Sequence, residues 1–325
     1  MPAAPPDSIR RDRLVGYACA ALVVLVWSSF SLASRFSARP GEGVRLTPWD
    51  LGALRYAVAW CVGLLLWLAG AGRGLPWRRA ATLALFGGFG FALPSYAGFS
   101  LAPAAHGALI NSGTLPFIVA IALRAITGER WSRSRQFSLA LLLAGFVLFG
   151  IEAYAHQTAP LGAWHGDLLF LVASSSWAAY TILARRWSPT PMQAVVAVGL
   201  WCAPLYLPLW WLALPSHLAA APAGAPLGEI LFQAFFQGIV AVLVALALYT
   251  SALRRIGANH LTTITAAVPG VTALLAIPLL GEPLGALALA GLALVCAAVA
   301  LGMGKITFPS ALDTPSPSGT SPPDC

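Results

Sequence analysis

Ten apolar runs, each about as long as a membrane-spanning helix, follow one another along this chain of 325 residues. A helix needs about 20 residues to cross the hydrocarbon core of a bilayer. Hydrophobic residues make up 58% of the sequence and charged residues only 9%, whereas a soluble domain carries about 25% charged residues. The sequence therefore predicts an all-α, polytopic membrane protein. The ten predicted helices lie at residues 14–34, 50–71, 79–99, 105–125, 136–154, 166–184, 191–214, 229–252, 260–280 and 284–304.

The two ends of the chain differ from this apolar body. Residues 1–13 carry three arginines ahead of the first run, as a signal peptide would. That run is long enough to span a bilayer and further spans follow it, so we expect an uncleaved first helix. Residues 305–325 are rich in Pro, Ser and Thr, which cannot build a core, and are predicted to be a disordered cytoplasmic tail.

The net charge of +8 could indicate an anionic partner. In a membrane chain, however, Lys and Arg gather on the cytoplasmic side and orient the helices. With the N-terminus in the cytoplasm, 15 of the 19 basic residues lie in inner segments and three in outer loops. We therefore predict a multi-pass protein of the cell (inner) membrane with both termini cytoplasmic, and no nucleic-acid partner.

An internal repeat divides the apolar body in two. Four residues recur at an offset of 153: Tyr96, Pro116, Gly128 and Glu129 as Tyr249, Pro269, Gly281 and Glu282. Trp27, Phe30 and Arg35 recur at an offset of 150 as Trp177, Tyr180 and Arg185, and Ala144-Gly145 recurs at 146 as Ala290-Gly291. The sequence thus predicts two five-helix repeats, residues 14–154 and 166–304. Because five is odd, the second repeat must be inverted in the membrane, as in many secondary transporters.

These repeated stretches carry a resemblance to a known family. The stretch from Tyr96 to Glu129, its partner from Tyr249 to Glu282 and the half-starts VWSSFSLASRF and GDLLFLVASSSWAAYTILARR resemble the drug/metabolite transporter (DMT) superfamily, EamA type. The resemblance covers about residues 14–304. It implies a proton-coupled or passive carrier of small metabolites, often an exporter of amino acids or their derivatives, with a central cavity lined by both halves.

Uncharged polar and repeated aromatic side chains are the candidates for binding a substrate. Polar groups inside a bilayer need partners and should face the interior; Ser and Thr can instead bond their own helix backbone, which Asn111 and Gln237 cannot do easily. Repeated aromatics could stack on a substrate, whereas other aromatics belong to the interfacial belts. The predicted substrate-binding residues are Trp27, Ser31, Tyr96, Asn111, Trp177, Tyr180, Gln237, Tyr249 and Thr265.

Two further repeated pairs have structural or mechanical interpretations. Pro116 and Pro269 lie deep in the fourth and ninth predicted helices, where each removes a backbone hydrogen bond and favours a kink. They are candidate hinges, or packing kinks that only shape the helix. Glu129 and Glu282 follow Gly at a helix start, where a carboxylate stabilises the first-turn amides, so we expect structural caps rather than proton carriers.

Arg55 is the one basic residue placed within a predicted helix near its outer end. Its side chain could reach the outer headgroups, paired with Asp50, or could meet a substrate carboxylate. Phosphorylated substrates would need several deep Lys or Arg residues, which the sequence lacks.

The residue pattern favours a carrier over an enzyme. His106 and His260 are predicted to be isolated at helix starts, and the five cysteines form no CxxC pair, so no catalytic cluster, metal site or cofactor is predicted. We expect a secondary-active transporter that moves a small neutral or zwitterionic metabolite, an amino acid or derivative, outward by alternating access. An uptake permease of the same fold and a membrane sensor or structural protein are the alternatives. The coupling ion, for which protons are the candidate, and the oligomeric state stay open.

Overall fold

The computed structural model describes residues 6–37, 46–102, 104–128, 130–155, 162–218, 225–280 and 285–303, and within these ranges the secondary structure is helical. The predicted tail at 305–325 lies outside them. The helices are α1 (Pro6–Ser37), α2 (Pro48–Leu68), α3 (Trp77–Ala84), α4 (Gly90–Leu101), α5 (Ala104–Gly113), α6 (Leu115–Thr127), α7 (Arg133–Ala155), α8 (Ala163–Trp187), α9 (Pro191–Ala213), α10 (Leu227–Phe235), α11 (Ala245–Thr265), α12 (Val268–Leu280) and α13 (Ala286–Met303).

In the described part of the chain, eight helices are long and apolar enough to cross a membrane. One of them, Leu227–Thr265, is a single apolar stretch of 39 residues that contains a non-helical residue, Gly257. A further apolar helix, Leu289–Leu301, falls below the length of a full span. The all-helical membrane architecture predicted from the sequence is therefore confirmed, and the total of ten crossings stays a prediction.

Two helices begin with the same capping device. Thr47 precedes α2 and its hydroxyl accepts from the amide of Asp50, whose carboxylate accepts from the amide of Thr47. Thr190 and Gln193 form the same reciprocal pair at the start of α9. In each case a proline follows the threonine, where its missing N–H is not needed. Both helices thus have a fixed starting residue.

Proline breaks the fourth and ninth predicted helices. Pro116 has no N–H to donate to the preceding turn, and the helix is interrupted at Thr114, so Pro116 lies in the first turn of α6. Pro269 likewise lies in the first turn of α12, after α11 ends at Thr265. The backbone before each proline stays helical, with φ −80° and ψ −22° at Thr114 and φ −63° and ψ −15° at Ala266, so both breaks are compatible with the expected kinks.

The glycines of the third predicted helix serve close packing. Between α3 and α4 the backbone forms a π-helical segment, Leu85–Phe89. A Cβ on Gly87 would lie 2.4 Å from the ring of Tyr180, and one on Gly88 would overlap Cys202 Sγ. A second π-helical segment, Phe236–Val244, lies between α10 and α11. The glycines therefore let α8 and α9 approach this helix closely.

Helices from the two halves pack against each other in pairs. The most extensive contacts join α7 to α13, α1 to α11, α2 to α9 and α4 to α8. Each pair takes one helix from residues 14–154 and one from 166–304, so the core lies between the halves. Large apolar side chains such as Leu65, Trp211 and Leu212 are exposed, as lipid-facing side chains would be.

Candidate functional site

A partly open cavity lies between the two halves. It is bordered by helices from both halves, with α1, α2, α4 and α5 on one side and α8, α9, α11 and α12 on the other. The lining residues are Trp27, Phe30, Arg55, Tyr56, Gly87, Phe91, Phe99, Gly107, Ala108, Asn111, Ser112, Leu115, Trp177, Val198, Ala241, Val242, Ala245, Leu246 and Val268.

Three of the predicted binding residues, Trp27, Asn111 and Trp177, line this cavity. Asn111 Nδ2 donates to Ser95 Oγ at 3.4 Å. Its Oδ1 is buried and has no hydrogen-bond partner among the described residues. The amide therefore presents a free acceptor at the cavity.

Four of the repeated aromatic residues, Trp27, Trp177, Tyr180 and Tyr249, form one connected cluster. Trp27 stacks on Tyr249 with ring centroids 5.4 Å apart and an angle of 24° between the planes. Trp177 contacts Trp27 edge-on at 5.4 Å and Tyr180 at 5.1 Å. Tyr180 and Tyr249 themselves are fully buried. These two tyrosines thus support the tryptophans that reach the cavity.

Two Tyr-Thr dipeptides cross-link α8 and α11 behind this cluster. The hydroxyls of Tyr180 and Thr250 lie 2.9 Å apart, and those of Thr181 and Tyr249 lie 2.7 Å apart. Thr181 also donates to the carbonyl of Trp177 at 2.8 Å. This part of the site is therefore held by buried, satisfied hydrogen bonds.

The remaining predicted binding residues lie away from the cavity wall or beyond the described atoms. Gln237 is buried in the second π-helical segment and its Nε2 donates to Gln233 Oε1 at 3.1 Å. Thr265 donates to the carbonyl of Thr262 at 3.1 Å, in its own helix. Tyr96 is buried, with its hydroxyl beside Arg55. The side chain of Ser31 lies outside the described part of the chain.

The candidate hinges border the cavity, each through the residue before it. Leu115 and Val268, which precede Pro116 and Pro269, are lining residues. Both prolines are buried. The predicted caps at Glu129 and Glu282 lie outside the described residues.

Arg55 corrects one sequence expectation. Its side chain is only 7% exposed and lines the cavity instead of reaching the outer headgroups. The guanidinium carbon lies 5.6 Å from the ring centre of Phe30 and 6.0 Å from that of Tyr56. Nothing in the apolar sequence around Arg55 indicates which way it points, because lipid-facing and interior-facing neighbours are equally apolar.

Asp50, the expected partner of Arg55, is engaged elsewhere. It is fully buried and accepts hydrogen bonds from Ser216 Oγ at 2.6 Å, the amide of His217 at 2.9 Å and Trp210 Nε1 at 3.1 Å. Its carboxylate therefore joins the start of α2 to the segment after α9.

His106 also departs from expectation. Instead of being isolated, its Nδ1 lies 2.9 Å from Asp167 Oδ1, which links α5 of the first half to α8 of the second. His106 is fully buried and directly precedes the lining residues Gly107 and Ala108. Within the described ranges, three or more His, Cys, Asp or Glu side chains do not gather at a single point.

The fold and the site define a class: a helical, multi-pass membrane protein with a cavity lined by both of its halves. A family model described as "EamA-like transporter family" matches residues 164–303. This match confirms the resemblance of the sequence to the EamA type of the drug/metabolite transporter superfamily.

Among solved structures, one entitled "Crystal structure of protein" has the same fold, with a TM-score of 0.69 and 23% sequence identity. The alignment covers 90% of this chain and 96% of that chain. No curated protein matches the sequence.

Proposed function

We propose that the protein is a secondary-active carrier that moves a small neutral or zwitterionic metabolite, an amino acid or derivative, by alternating access. The observation that carries the proposal is the cavity between the halves, to which both contribute lining residues. A site at the meeting of two repeats becomes accessible to either side when one repeat rocks against the other. The similarity of residues 164–303 to a transporter family supports transport over catalysis.

The proposal includes ten crossings in two inverted repeats, and the symmetry of several contacts supports it. The pairing of α1 with α11 has its counterpart in the pairing of α8 with α4, and α7 with α13 and α2 with α9 pair equivalent helices. The two π-helical segments occupy equivalent positions, in the third helix of each half. Gly257, with φ of 76° and ψ of 166°, divides the 39-residue apolar stretch into an eighth and a ninth span.

Pro116 and Pro269 serve as hinges in this mechanism. Each starts a new helix one residue after the cavity wall, and the helix interruption leaves a local backbone free to bend. The distribution of arginines supports a cell (inner) membrane location with both termini on the cytoplasmic side. Export is the favoured direction because exporters are common among the relatives that the sequence resembles, and uptake is the alternative.

Blocking the cavity tests whether it is the transport path. Ala108 lines the cavity and Ala125 is exposed on α6, so Ala108→Trp and Ala125→Trp form a matched pair. Reconstituted protein would be assayed for flux of a panel of labelled amino acids and related metabolites. We expect Ala108→Trp to abolish flux and Ala125→Trp to retain it. Equal flux in both variants, or no flux with any solute, overturns the proposal.

Direction needs a separate measurement. Everted and right-side-out vesicles that contain the protein would receive, in the external medium, the solute that is carried in the flux assay. Accumulation in everted vesicles supports export, and accumulation in right-side-out vesicles supports the uptake permease. A proton gradient imposed in either vesicle would show whether protons are the coupling ion.

A further inference from the structure

Among the described residues that line the cavity, one is a buried cation, Arg55. Arg55 lies about 10 Å along α2 from its start, well inside the membrane-spanning part of the helix. None of the described carboxylates lies within salt-bridge distance of it, and its Nε has no hydrogen-bond partner among the described residues. Its neighbours are the rings of Phe30 and Tyr56 and the hydroxyl of Tyr96.

A buried charge without a counter-ion is costly unless something compensates it. An aromatic face attracts a cation much less strongly than a negatively charged group does. Asp50, five residues earlier, does not supply the counter-ion, because donors from α9 and the segment after it surround its oxygens. The guanidinium group offers two parallel N–H donors, a geometry that matches a carboxylate.

The other residues that line the cavity indicate which groups the rest of the solute carries. Trp27, Phe91, Phe99 and Trp177 present rings to the cavity, which favours a flat apolar body. Asn111 adds one buried acceptor, its Oδ1. With Arg55 as the single charged lining residue, the site suits one negative charge and not the two of a phosphate ester.

We propose that Arg55 is the anion-recognition residue of the central cavity and that the solute is a monocarboxylate attached to a flat apolar body. This inference rests on the proposed carrier function; it restricts the solute to carboxylates and extends it to simple monocarboxylate anions. The carboxylate pairs with the guanidinium group, the body packs among the rings, and a donor on the solute can reach Asn111. Both an α-amino acid and its deaminated analogue carry this chemistry.

Four probes that share a benzyl body distinguish the contribution of the carboxylate from that of the amino group. They are phenylalanine, 3-phenylpropionate, phenylalaninamide and phenethylamine. Binding to the purified full-length protein would be followed by the rise in Tm with ligand concentration. We expect a carboxylate probe to stabilise the protein and neither the amide nor the amine to do so. If 3-phenylpropionate alone stabilises the protein, the solute is a simple acid. If phenylalanine stabilises it, the solute is an amino acid whose ammonium group donates to Asn111 Oδ1.

Three variants test Arg55 itself. Arg55→Gln removes the charge, Arg55→Lys keeps the charge without the two parallel donors, and Arg133→Gln removes an exposed arginine as the control. Loss of one partner of a buried ion pair weakens binding at least about 30-fold. We expect that loss for Arg55→Gln, a smaller loss for Arg55→Lys and none for Arg133→Gln. If Arg55→Gln does not fold, the role of Arg55 is tested by comparing how tightly Arg55→Lys and the unmodified protein bind the carboxylate probes.

The inference is overturned if the amide or amine binds as tightly as the carboxylates, if neither carboxylate stabilises the protein, or if Arg55 variants bind the carboxylates unchanged. These outcomes leave the carrier function standing whenever some other solute crosses the membrane and Ala108→Trp blocks its flux. Failure of the carrier function itself appears as an absence of flux with every solute.

Discussion

Gly145 of α7 and Gly291 of α13 lie against each other's backbone. A Cβ on Gly145 would lie 2.9 Å from the carbonyl oxygen of Gly291, and a Cβ on Gly291 would lie 2.8 Å from that of Gly145. These are the glycines that recur at an offset of 146 in the sequence. Their reciprocal contact is what a two-fold relation between the halves would produce, since equivalent residues meet on such an axis.

Alanine at either position should separate the two helices. We expect Gly145→Ala to lower the free energy of unfolding by about 1–3 kcal/mol, because backbone atoms cannot move aside as a flexible side chain can. Gly150→Ala is the control in the same helix, since its nearest neighbouring atom, Leu109 Cδ2, is 3.8 Å away. Thermal unfolding in detergent measures both, and equal stability of the two variants would contradict the close packing.

Gly257 provides a test of the break within Leu227–Thr265. Its φ of 76° and ψ of 166° lie in a region open almost only to glycine. Nothing lies within 4 Å of the position of its Cβ, so alanine there suffers from backbone strain and not from crowding. We expect Gly257→Ala to cost about 1–3 kcal/mol of stability. Gly228→Ala, also with open space around it but with ordinary helical backbone, should be neutral or stabilising in the same assay.

The carboxylate of Asp50 should contribute more to the free energy of unfolding than the carboxylate of an exposed aspartate does. Asp50→Asn replaces one acceptor oxygen by a donor that faces other donors, so we expect a loss of about 1.5–3 kcal/mol. Asp12 is 60% exposed and pairs with Arg255 at 2.9 Å; Asp12→Asn should cost little. Denaturation of the two variants side by side gives the comparison, and a small effect at Asp50 would argue against its role in joining α2 to the segment after α9.

The stack of Trp27 on Tyr249 should matter more for transport than the Tyr249 hydroxyl. Tyr249→Phe keeps the ring, and Thr181 keeps its bond to the Trp177 carbonyl, so we expect near-normal flux and a stability loss of about 1 kcal/mol. Tyr249→Ala should impair flux while membrane insertion continues, and Tyr96→Ala should do the same. Unimpaired flux in both alanine variants would remove these aromatics from the mechanism.

His106 and Asp167 should show energetic coupling. A double-mutant cycle with His106→Ala and Asp167→Ala, followed by unfolding in detergent, isolates their pairwise contribution. We expect a coupling free energy of about 0.5–3 kcal/mol, the range for residues in direct contact. Additive single effects would show that the 2.9 Å contact contributes nothing to holding α5 against α8.

Helix positions were the most predictable part of this molecule. Every range that the apolar runs predict is largely helical in the structure, because span length and hydropathy are local properties of the sequence. Proline and glycine marked where the backbone would depart from a regular helix. The form of the departure was not always predictable: Gly87 and Gly88 lie in a π-helical segment, which the sequence did not indicate.

Site residues were predicted only in part. The repeat indicated Trp27 and Trp177, and Asn111 was selected because its amide cannot easily bond its own helix backbone; all three line the cavity. The same reasoning selected Gln237, which bonds Gln233 instead. The sequence around a buried polar residue is the same whether the side chain faces a cavity or another helix, so only the packing distinguishes the two cases.

The sequence by itself determined that the chain is a helical membrane protein, that its body repeats and which family it resembles, since length, hydropathy and recurring residues carry that information. Only the tertiary structure decided which side chains share a cavity. In a bilayer both the lipid-facing and the interior-facing surfaces of a helix are apolar, so the periodicity that reveals the buried face of a soluble helix is lost. The pairing of helices from the two halves turned Arg55 inward and brought His106 to Asp167.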